Sequence, residues 1–206
     1  MNSLREELAG APVTTATPYT LLCPPGWRRL PAAALADDAL TAPALAQLKA
    51  AGRPDLIISF RGMLARYRAA VRESGAFQAY LAPLADGIPL PAVMLVSPFV
   101  LPGTTTWEMS LPRIARGAAV ADADFTETPM WVWRSAERTG DDGAVMVGRS
   151  SHYLVPTAEE GSRRALHFHF TALAADDPQA HALVETLVEI GDLIMGTMRW
   201  VETPPQ

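Results

Sequence analysis

The chain has 206 residues, of which 49% are hydrophobic and 19% charged, so it can bury a substantial core in one domain. Its formal net charge of −5 argues against a general nucleic-acid binder, because binding to phosphates depends on clustered cations. The apolar runs are broken by proline, and none approaches the ~20 residues of a membrane-spanning helix, so membrane insertion is not expected.

The N-terminal segment carries acidic side chains where a secretory signal would have a basic start and an apolar centre. We therefore expect a cytoplasmic protein. Residues 1–16 are polar, small and aperiodic, which predicts a flexible arm. A single α+β domain is expected to follow over residues 17–206.

The first convincing element is a strand over residues 18–23, which ends at the turn-forming sequence Pro24-Pro25-Gly26. Cys23, the only cysteine, is expected to behave as a small buried apolar group. Trp27 follows the turn. We expect it to close one end of the core rather than to stack on a ligand, because buried aromatic residues far outnumber functional ones.

Helical patterns dominate residues 32–74, with a break at Gly52-Arg53-Pro54. Glycine after one helix and proline at the start of the next predict two consecutive helices. The second helix has an apolar stripe and, opposite it, three arginines that favour a solvated face over an anion site. The stripe is Leu56, Phe60, Met63 or Leu64, Tyr67 and Val71, and the arginines are Arg61, Arg68 and Arg72.

Strand patterns return after residue 75. Residues 77–83 predict one strand, and the nearly continuous apolar run 92–96 predicts a second that is buried on both faces and therefore central. Asp86-Gly87 predicts a turn between them. After a loop over 101–107, residues 108–124 predict a helix.

Three further strands are predicted over residues 130–138, 144–155 and 163–173. The connections between them, 139–143 and 156–162, are polar and short, so both should close hairpins. The sheet is therefore expected to be mainly antiparallel.

The last unit combines a strand with an amphipathic helix. Leu166, Phe168 and Phe170 recur with period two, whereas apolar residues over 178–198 recur at three and four. Asp177-Pro178 marks the helix start, since aspartate caps free amides and proline suits the first helical position. Packing this helix on its own strand buries both apolar faces, which predicts an α+β fold with helices flanking the sheet.

The two ends of the chain resemble the Mog1/PsbP-like superfamily, in particular its bacterial LpqN and DUF1795 branches. The matching segments are Tyr19-Thr-Leu-Leu-Cys-Pro-Pro-Gly-Trp27 and the closing strand and helix that end at Met198-Arg-Trp200. The resemblance implies an antiparallel sheet with helices on both sides, an α/β/α sandwich. It also implies a family of non-enzymatic binding proteins, adaptors and chaperones. No functional residue carries over, because the matching positions are structural.

Familiar catalytic motifs are absent from the sequence, including GxGxxG, Walker, HExxH, CxxC and GxSxG patterns. Their absence argues against nucleotide-dependent enzymes, zinc hydrolases and α/β-hydrolases. Glu185 and Glu189 lie one helical turn apart, opposite the apolar stripe, where solvated surface is favoured over an acid/base pair. We therefore assign no catalytic residue, no metal ligand and no cofactor.

Three histidines, His152, His167 and His169, lie in the final hairpin. If residues 156–162 form the loop, facing residues have numbers that sum to about 319, so His152 faces His167 and lies near His169. The alternation of apolar residues requires an odd sum, which puts all three imidazoles on the face away from the C-terminal helix. Such a cluster either binds a transition metal or an anion or is structural, and the structural interpretation is favoured.

Three functional hypotheses follow. The first is a non-catalytic binding or adaptor module that docks a protein or a small ligand on a sheet face or groove. The second is a metal-assisted enzyme that uses the histidine cluster. The third is a structural subunit whose partner is a second copy of itself, as a homodimer. The identity of the partner or ligand is not encoded in any recognisable motif.

Overall fold

The structure is a computed structural model. It describes residues 18–50, 71–85, 88–139, 146–175 and 178–201, together with scattered positions between 52 and 69. Several predicted features lie outside the described residues: the arm over 1–16, the Asp86-Gly87 turn, the Asp177 cap and most of the apolar stripe of the second helix.

The described part of the chain contains eleven strands and three α-helices, with one 3-10 helix at Ala32–Ala36. The strands are β1 (Tyr19–Thr20), β2 (Arg28–Pro31), β3 (Gln78–Leu81), β4 (Leu84–Ala85), β5 (Ile88–Pro89), β6 (Ala92–Val100), β7 (Ala121–Asp122), β8 (Trp131–Thr139), β9 (Met146–Pro156), β10 (Arg164–Ala175) and β11 (Arg199–Trp200). The α-helices are α1 (Asp38–Ala50), α2 (Trp107–Ile114) and α3 (Pro178–Gly196). The described positions between 54 and 73 are also helical.

Seven strands form one antiparallel sheet in the order β2-β3-β6-β10-β9-β8-β7. β6 is paired on both sides, by β3 and β10, so the prediction of a central apolar strand is confirmed. The strands β8, β9 and β10 follow one another as hairpins, as predicted. Two small antiparallel pairs, β1 with β11 and β4 with β5, complete the strand pairing.

One face of the sheet packs against α3 and holds the main core; we call it the helix face. Leu166, Phe168 and Phe170 lie in this core and are 3%, 0% and 0% exposed, as their period-two spacing predicts. At Gly191, an added Cβ would lie 3.0 Å from the Phe170 ring, so glycine permits the close approach of α3. Trp27 also packs against this core, with its ring centroid 6.3 Å from that of Phe170.

The opposite face carries two smaller apolar clusters. At one end, Leu35 of the 3-10 helix and Val71 pack on Leu95 of β6. At the other end, Leu111 of α2 packs with Trp133 of β8. Helical segments therefore flank the sheet on both sides, which confirms the α+β fold with an antiparallel sheet between helices.

Helix α2 is shorter than predicted. The sequence pattern suggested a helix over 108–124, but α2 ends at Ile114. Arg116 has φ 53 and Gly117 has φ 83, so the chain turns into the left-handed region directly after the helix. Residues 121–122 then form the edge strand β7, because Ala121 pairs with Val132 of β8. The apolar residues beyond 114 pack beside the sheet rather than continuing the helix.

The opening strand is also shorter than the prediction of 18–23. β1 comprises only two residues and pairs with β11, outside the seven-stranded sheet. Beyond the strand, the Leu22 amide donates to the Thr197 hydroxyl at 2.9 Å. Cys23 packs partly buried against the main core, in keeping with its predicted apolar role. The following strand, β2, was not predicted.

Two of the three arginines predicted to lie on a solvated face, Arg61 and Arg72, are exposed. The third, Arg68, departs from the prediction: its side chain is only 22% exposed and forms an ion pair with Asp38 of α1 at 2.8 Å. No helix in the described part of the chain is long and apolar enough to cross a membrane.

Candidate functional site: the histidine face

The three histidines lie on adjacent central strands, but their pairing differs from the prediction. His152 of β9 lies directly opposite His169 of β10, while His167 faces Leu154. The predicted pairing of His152 with His167 is wrong by two residues, because the hairpin continues to a backbone bond from the Thr157 amide to the Arg164 carbonyl at 3.0 Å. The odd parity is nevertheless correct.

All three imidazoles lie on the face away from α3, as predicted, and we call this surface the histidine face. Its centre is His152, His167 and His169, and each side chain is partly buried. The two apolar clusters that contain Leu95 and Trp133 flank it along the sheet. The face is therefore a polar strip between two apolar ends.

The aromatic rings on this face are nearly parallel. The Trp133 ring stacks on His152 with centroids 4.9 Å apart and an interplanar angle of 2°. His152 stacks in turn on His169, with centroids 4.2 Å apart and an angle of 10°. This order follows from the sheet register, because Trp133, His152 and His169 occupy one cross-strand row.

The polar atoms of the cluster bond to one another. His152 Nδ1 lies 3.1 Å from His167 Nε2, so one of these nitrogens donates to the other. His169 Nε2 lies 3.1 Å from the Thr171 hydroxyl, which is in turn 3.2 Å from the Ser150 hydroxyl. The side chains thus form short hydrogen-bonded chains along the strands.

Burial keeps these imidazoles neutral. Burial, followed by the neighbouring His169, His167 and Arg116, lowers the pKa of His152 to about 3. Burial and then His169 lower the pKa of His167 to about 4, and burial alone lowers the pKa of His169 to about 4. At neutral pH the cluster therefore presents uncharged rings that can both donate and accept hydrogen bonds.

The ring geometry bears on metal binding. A metal lies close to the plane of each imidazole that binds it, since the nitrogen lone pair lies in that plane. The stacked, nearly parallel rings of His152 and His169 do not share such a position. Among the described residues, no group of three His, Cys, Asp or Glu side chains is arranged to hold a metal ion.

Sequence reasoning missed a second polar cluster, on the helix face. Asp192 of α3 accepts hydrogen bonds from the Tyr153 hydroxyl at 2.6 Å and from Arg134 at 2.7 Å. Arg134 also donates to the fully buried Ser151 hydroxyl at 2.8 Å. Burial, followed by the hydrogen bond to the Asp192 carboxylate and its charge, raises the pKa of Tyr153. The sequence signal for this cluster was Asp192 itself, an acidic residue that lies four positions after Val188 and therefore on the apolar side of the helix.

A groove lies next to this cluster, between α3 and the strands β8 and β9. It comprises two adjoining pockets of about 370 and about 290 Å³ that share Ala136, Arg149 and Glu185. We call it the edge groove. Arg149 and Glu185 form an ion pair across it at 2.9 Å, and Glu185 and Glu189 are both exposed, as predicted.

The fold and these sites define an α+β protein whose central sheet has one histidine-lined face. Its sequence matches no protein-family model and no curated protein. A similar solved structure is a protein from Bacteroides thetaiotaomicron, determined at 1.50 Å resolution, with a TM-score of 0.43 and 7% sequence identity. The match covers 91% of this chain and 46% of that chain, so this chain spans about half its length. The Mog1/PsbP-like relationship stays a prediction.

Proposed function

We propose that the protein is a non-catalytic binding or adaptor module that docks a protein or a small ligand on the histidine face. The observation that carries the proposal is the cluster of three neutral, stacked imidazoles, two of which share a hydrogen bond, with Trp133 stacked on His152 and a buried apolar cluster at either end. Flat aromatic groups beside hydrogen-bonding atoms are common in binding surfaces.

The electrostatics of the cluster favour binding over acid–base chemistry. A general acid or base works best when its pKa lies near the operating pH, whereas these imidazoles have pKa values of about 3 and about 4. Their nearest polar partners are one another and the hydroxyl of Thr171, rather than a carboxylate that would orient a catalytic histidine.

Co-purification tests the binding role directly. Tag-free protein isolated from its host should retain a partner or ligand, identified by mass spectrometry. His167→Ala should lose it, because the variant removes one of the hydrogen-bonded rings. Leu193→Ala, which truncates a side chain that is 72% exposed on α3, is the matched control and should retain the partner. Equal retention by both variants would contradict docking on the histidine face.

Calorimetric titration of tag-free protein with Zn²⁺ and Ni²⁺ tests the metal-assisted alternative. We expect no binding tighter than ~1 mM, because the stacked rings do not converge on one position. Tight binding that is lost in His167→Ala would replace the adaptor proposal with a metal site.

A further inference from the structure

The histidine cluster keeps hydrogen-bonding atoms that are free. His152 Nδ1 and His167 Nε2 bond to each other, and His169 Nε2 bonds to a threonine hydroxyl. The second nitrogen of each ring has no partner among the described residues. Only Arg68 Nε is both fully enclosed and unpaired in the described part of the chain, so the three free nitrogens reach solvent. They are therefore available to a ligand.

Ser97 adds a nearly buried hydroxyl to the same strip. It lies directly opposite His167 in the pairing of β6 with β10, so the two side chains share the histidine face. Ser97 is 6% exposed, and its hydroxyl forms no hydrogen bond within the residues that the structure describes. Burying a hydroxyl is unfavourable unless a ligand or water satisfies it. Ser97 therefore marks a second point where a ligand can bind.

Arg116 supplies a positive charge beside the cluster. Ala115, just after the end of α2, packs in one cluster with Trp133, whose ring stacks on His152. Arg116 follows at once and is exposed. The pKa of His152 is lowered first by burial, then by the two other histidines and last by Arg116, so this guanidinium lies near the ring. No carboxylate of the described chain acts on that pKa.

The charge of Arg116 is not balanced by a partner. Arg134 and Arg149 are held in ion pairs by acidic side chains of α3, whereas Arg116 has no side-chain partner in the described structure, which includes all of residues 88–139. The last turn of α2 already has a favourable cation, Arg113. Arg116 also has φ 53, which is unfavourable for a residue other than glycine. Backbone strain of this kind is concentrated at functional positions.

The hydrogen bond between His152 and His167 lets His152 donate to an anion. With its proton on Nε2, His152 accepts from His167 Nε2–H through Nδ1 and keeps Nε2–H as a free donor. A carboxylate can accept from this donor while it pairs with the guanidinium of Arg116. Ser97 lies two strands from His152, about 10 Å away, where it can bond to another polar group of the same ligand.

We propose that the histidine face binds a ligand through its carboxylate, which lies between Arg116 and His152, while the polar body of the ligand extends toward Ser97. This inference rests on the docking function proposed above and names the chemistry of the ligand. One guanidinium balances the single charge of a carboxylate, whereas a phosphate dianion would keep an unbalanced charge in a partly buried site. Small organic acids and peptide C-termini both carry this group.

The test titrates tag-free protein with two matched pairs of probes. Benzoate and benzamide compare a small carboxylate with its neutral analogue, and acetylated tetra-alanine with a free or an amidated C-terminus makes the same comparison for a peptide. Proton–nitrogen NMR of the imidazole rings measures binding. The acids, and not the amides, should shift the signals of His152, His167 and His169. The exposed His181 of α3 is the internal control and should not shift. Tighter binding of benzoate indicates a small organic acid, and tighter binding of the peptide acid indicates a chain terminus.

Three substitutions separate the charge from the hydroxyl. Arg116→Gln should weaken binding of the acids about tenfold or more, because it removes the charge that pairs with the carboxylate. Arg113→Gln, the same charge change three residues earlier on α2, is the matched control and should bind like the wild type. Ser97→Ala should weaken binding of the peptide acid about threefold. It should not lower stability in urea denaturation, since the hydroxyl has no partner within the described residues.

Three outcomes would overturn the carboxylate: no shift of the histidine signals by either acid at ~10 mM, equal binding of acids and amides, or undiminished binding by Arg116→Gln. A partner that co-purifies with Arg116→Gln but is lost from His167→Ala would also overturn it, while the docking function would stand. Retention of the partner by His167→Ala would instead contradict the docking function, and this inference with it.

Discussion

Neighbouring side chains on β10 occupy opposite environments. Phe168 is fully buried beneath α3, while His167 and His169, one residue away on either side, lie on the histidine face. The pleat of the strand alone produces this alternation. A substitution on β10 therefore acts either on the main core or on the candidate site, according to its parity.

Phe168→Ala tests the packing of β10 in the main core. It should lower the free energy of unfolding by ~3–5 kcal/mol, through lost burial and the cavity that is left. Urea denaturation followed by circular dichroism measures the change. Leu193→Ala, at a position that is 72% exposed, should change it by less than ~0.5 kcal/mol. A loss below ~1 kcal/mol for Phe168→Ala would contradict the assigned packing.

The lowered pKa values of the three histidines predict that the protein loses stability in acid. The folded-state pKa values, about 3 for His152 and about 4 for His167 and His169, lie below the ordinary 6.5, so the unfolded chain binds more protons as the pH falls. The free energy of unfolding should hold above pH 6.5 and fall steadily toward pH 4, because the unfolded imidazoles take up protons in this range and the folded ones do not. His169→Gln should reduce the slope in urea denaturation between these pH values, and an unchanged slope would contradict the cluster.

At the level of elements, each helix meets the sheet in its own way. Helix α3 lies so close to β10 that Gly191 has no room for a side chain above Phe170. Helix α2 instead ends abruptly, and the chain turns back at Arg116 and Gly117 to form the edge strand β7. The packing of α3 therefore depends on the absence of a side chain at Gly191, whereas the end of α2 depends on the left-handed backbone of Arg116 and Gly117.

Gly191→Ala should destabilise the protein although alanine is the better helix former by about 1 kcal/mol. The added Cβ would lie 3.0 Å from the Phe170 ring, which is fully buried and cannot easily move. We expect a loss of ~1–3 kcal/mol in thermal or urea denaturation. Phe170→Leu in the same chain should recover part of that loss in a double-mutant cycle, and additive effects would contradict the contact.

Arg116→Gly and Gly117→Ala should have opposite effects. Arg116 has φ 53, a region that costs a non-glycine residue ~1 kcal/mol, so glycine there should raise the free energy of unfolding by about that amount. Gly117 has φ 83, so alanine should lower it by a similar amount. Urea denaturation of the two variants checks both signs, and a loss of stability in Arg116→Gly would show that its side chain is needed.

The predictability of these elements depends on how local their causes are. The alternation of Leu166, Phe168 and Phe170, and with it the face of the histidines, could be read from the sequence because parity is a local property. The pairing of His152 with His169 could not be read from the sequence, because it depends on the last residues that pair before the loop. The ladder continues to Thr157 and Arg164, which shifts the register by two residues. The end of α2 at Ile114 was missed for a related reason, because tertiary pairing of β7 overrides helical periodicity.

For the whole molecule, the seven-stranded sheet joins the helix face to the histidine face. Central strands such as β6, β9 and β10 contribute side chains to both faces, so neither face can lose its packing alone. We therefore expect the clusters on the two sides to unfold as one cooperative unit.

Urea unfolding should accordingly be a single transition. Far-ultraviolet circular dichroism reports the strands and helices, while tryptophan fluorescence reports both Trp27 on the helix face and Trp133 on the histidine face. The two signals should give the same midpoint. Two separated midpoints would show that one face unfolds before the other, contrary to the shared sheet.

The pairing of β1 with β11 determines how the folded chain responds to mechanical tension. Tyr19 lies opposite Trp200, and the Val201 amide donates to the Pro18 carbonyl at 2.9 Å at the outer end of the ladder. A force that separates residues 18 and 201 therefore opens this two-stranded sheet one rung at a time, rather than shearing all of its hydrogen bonds together. The first extension under force is an unzipping event, and the seven-stranded sheet bears tension only after these two strands have separated.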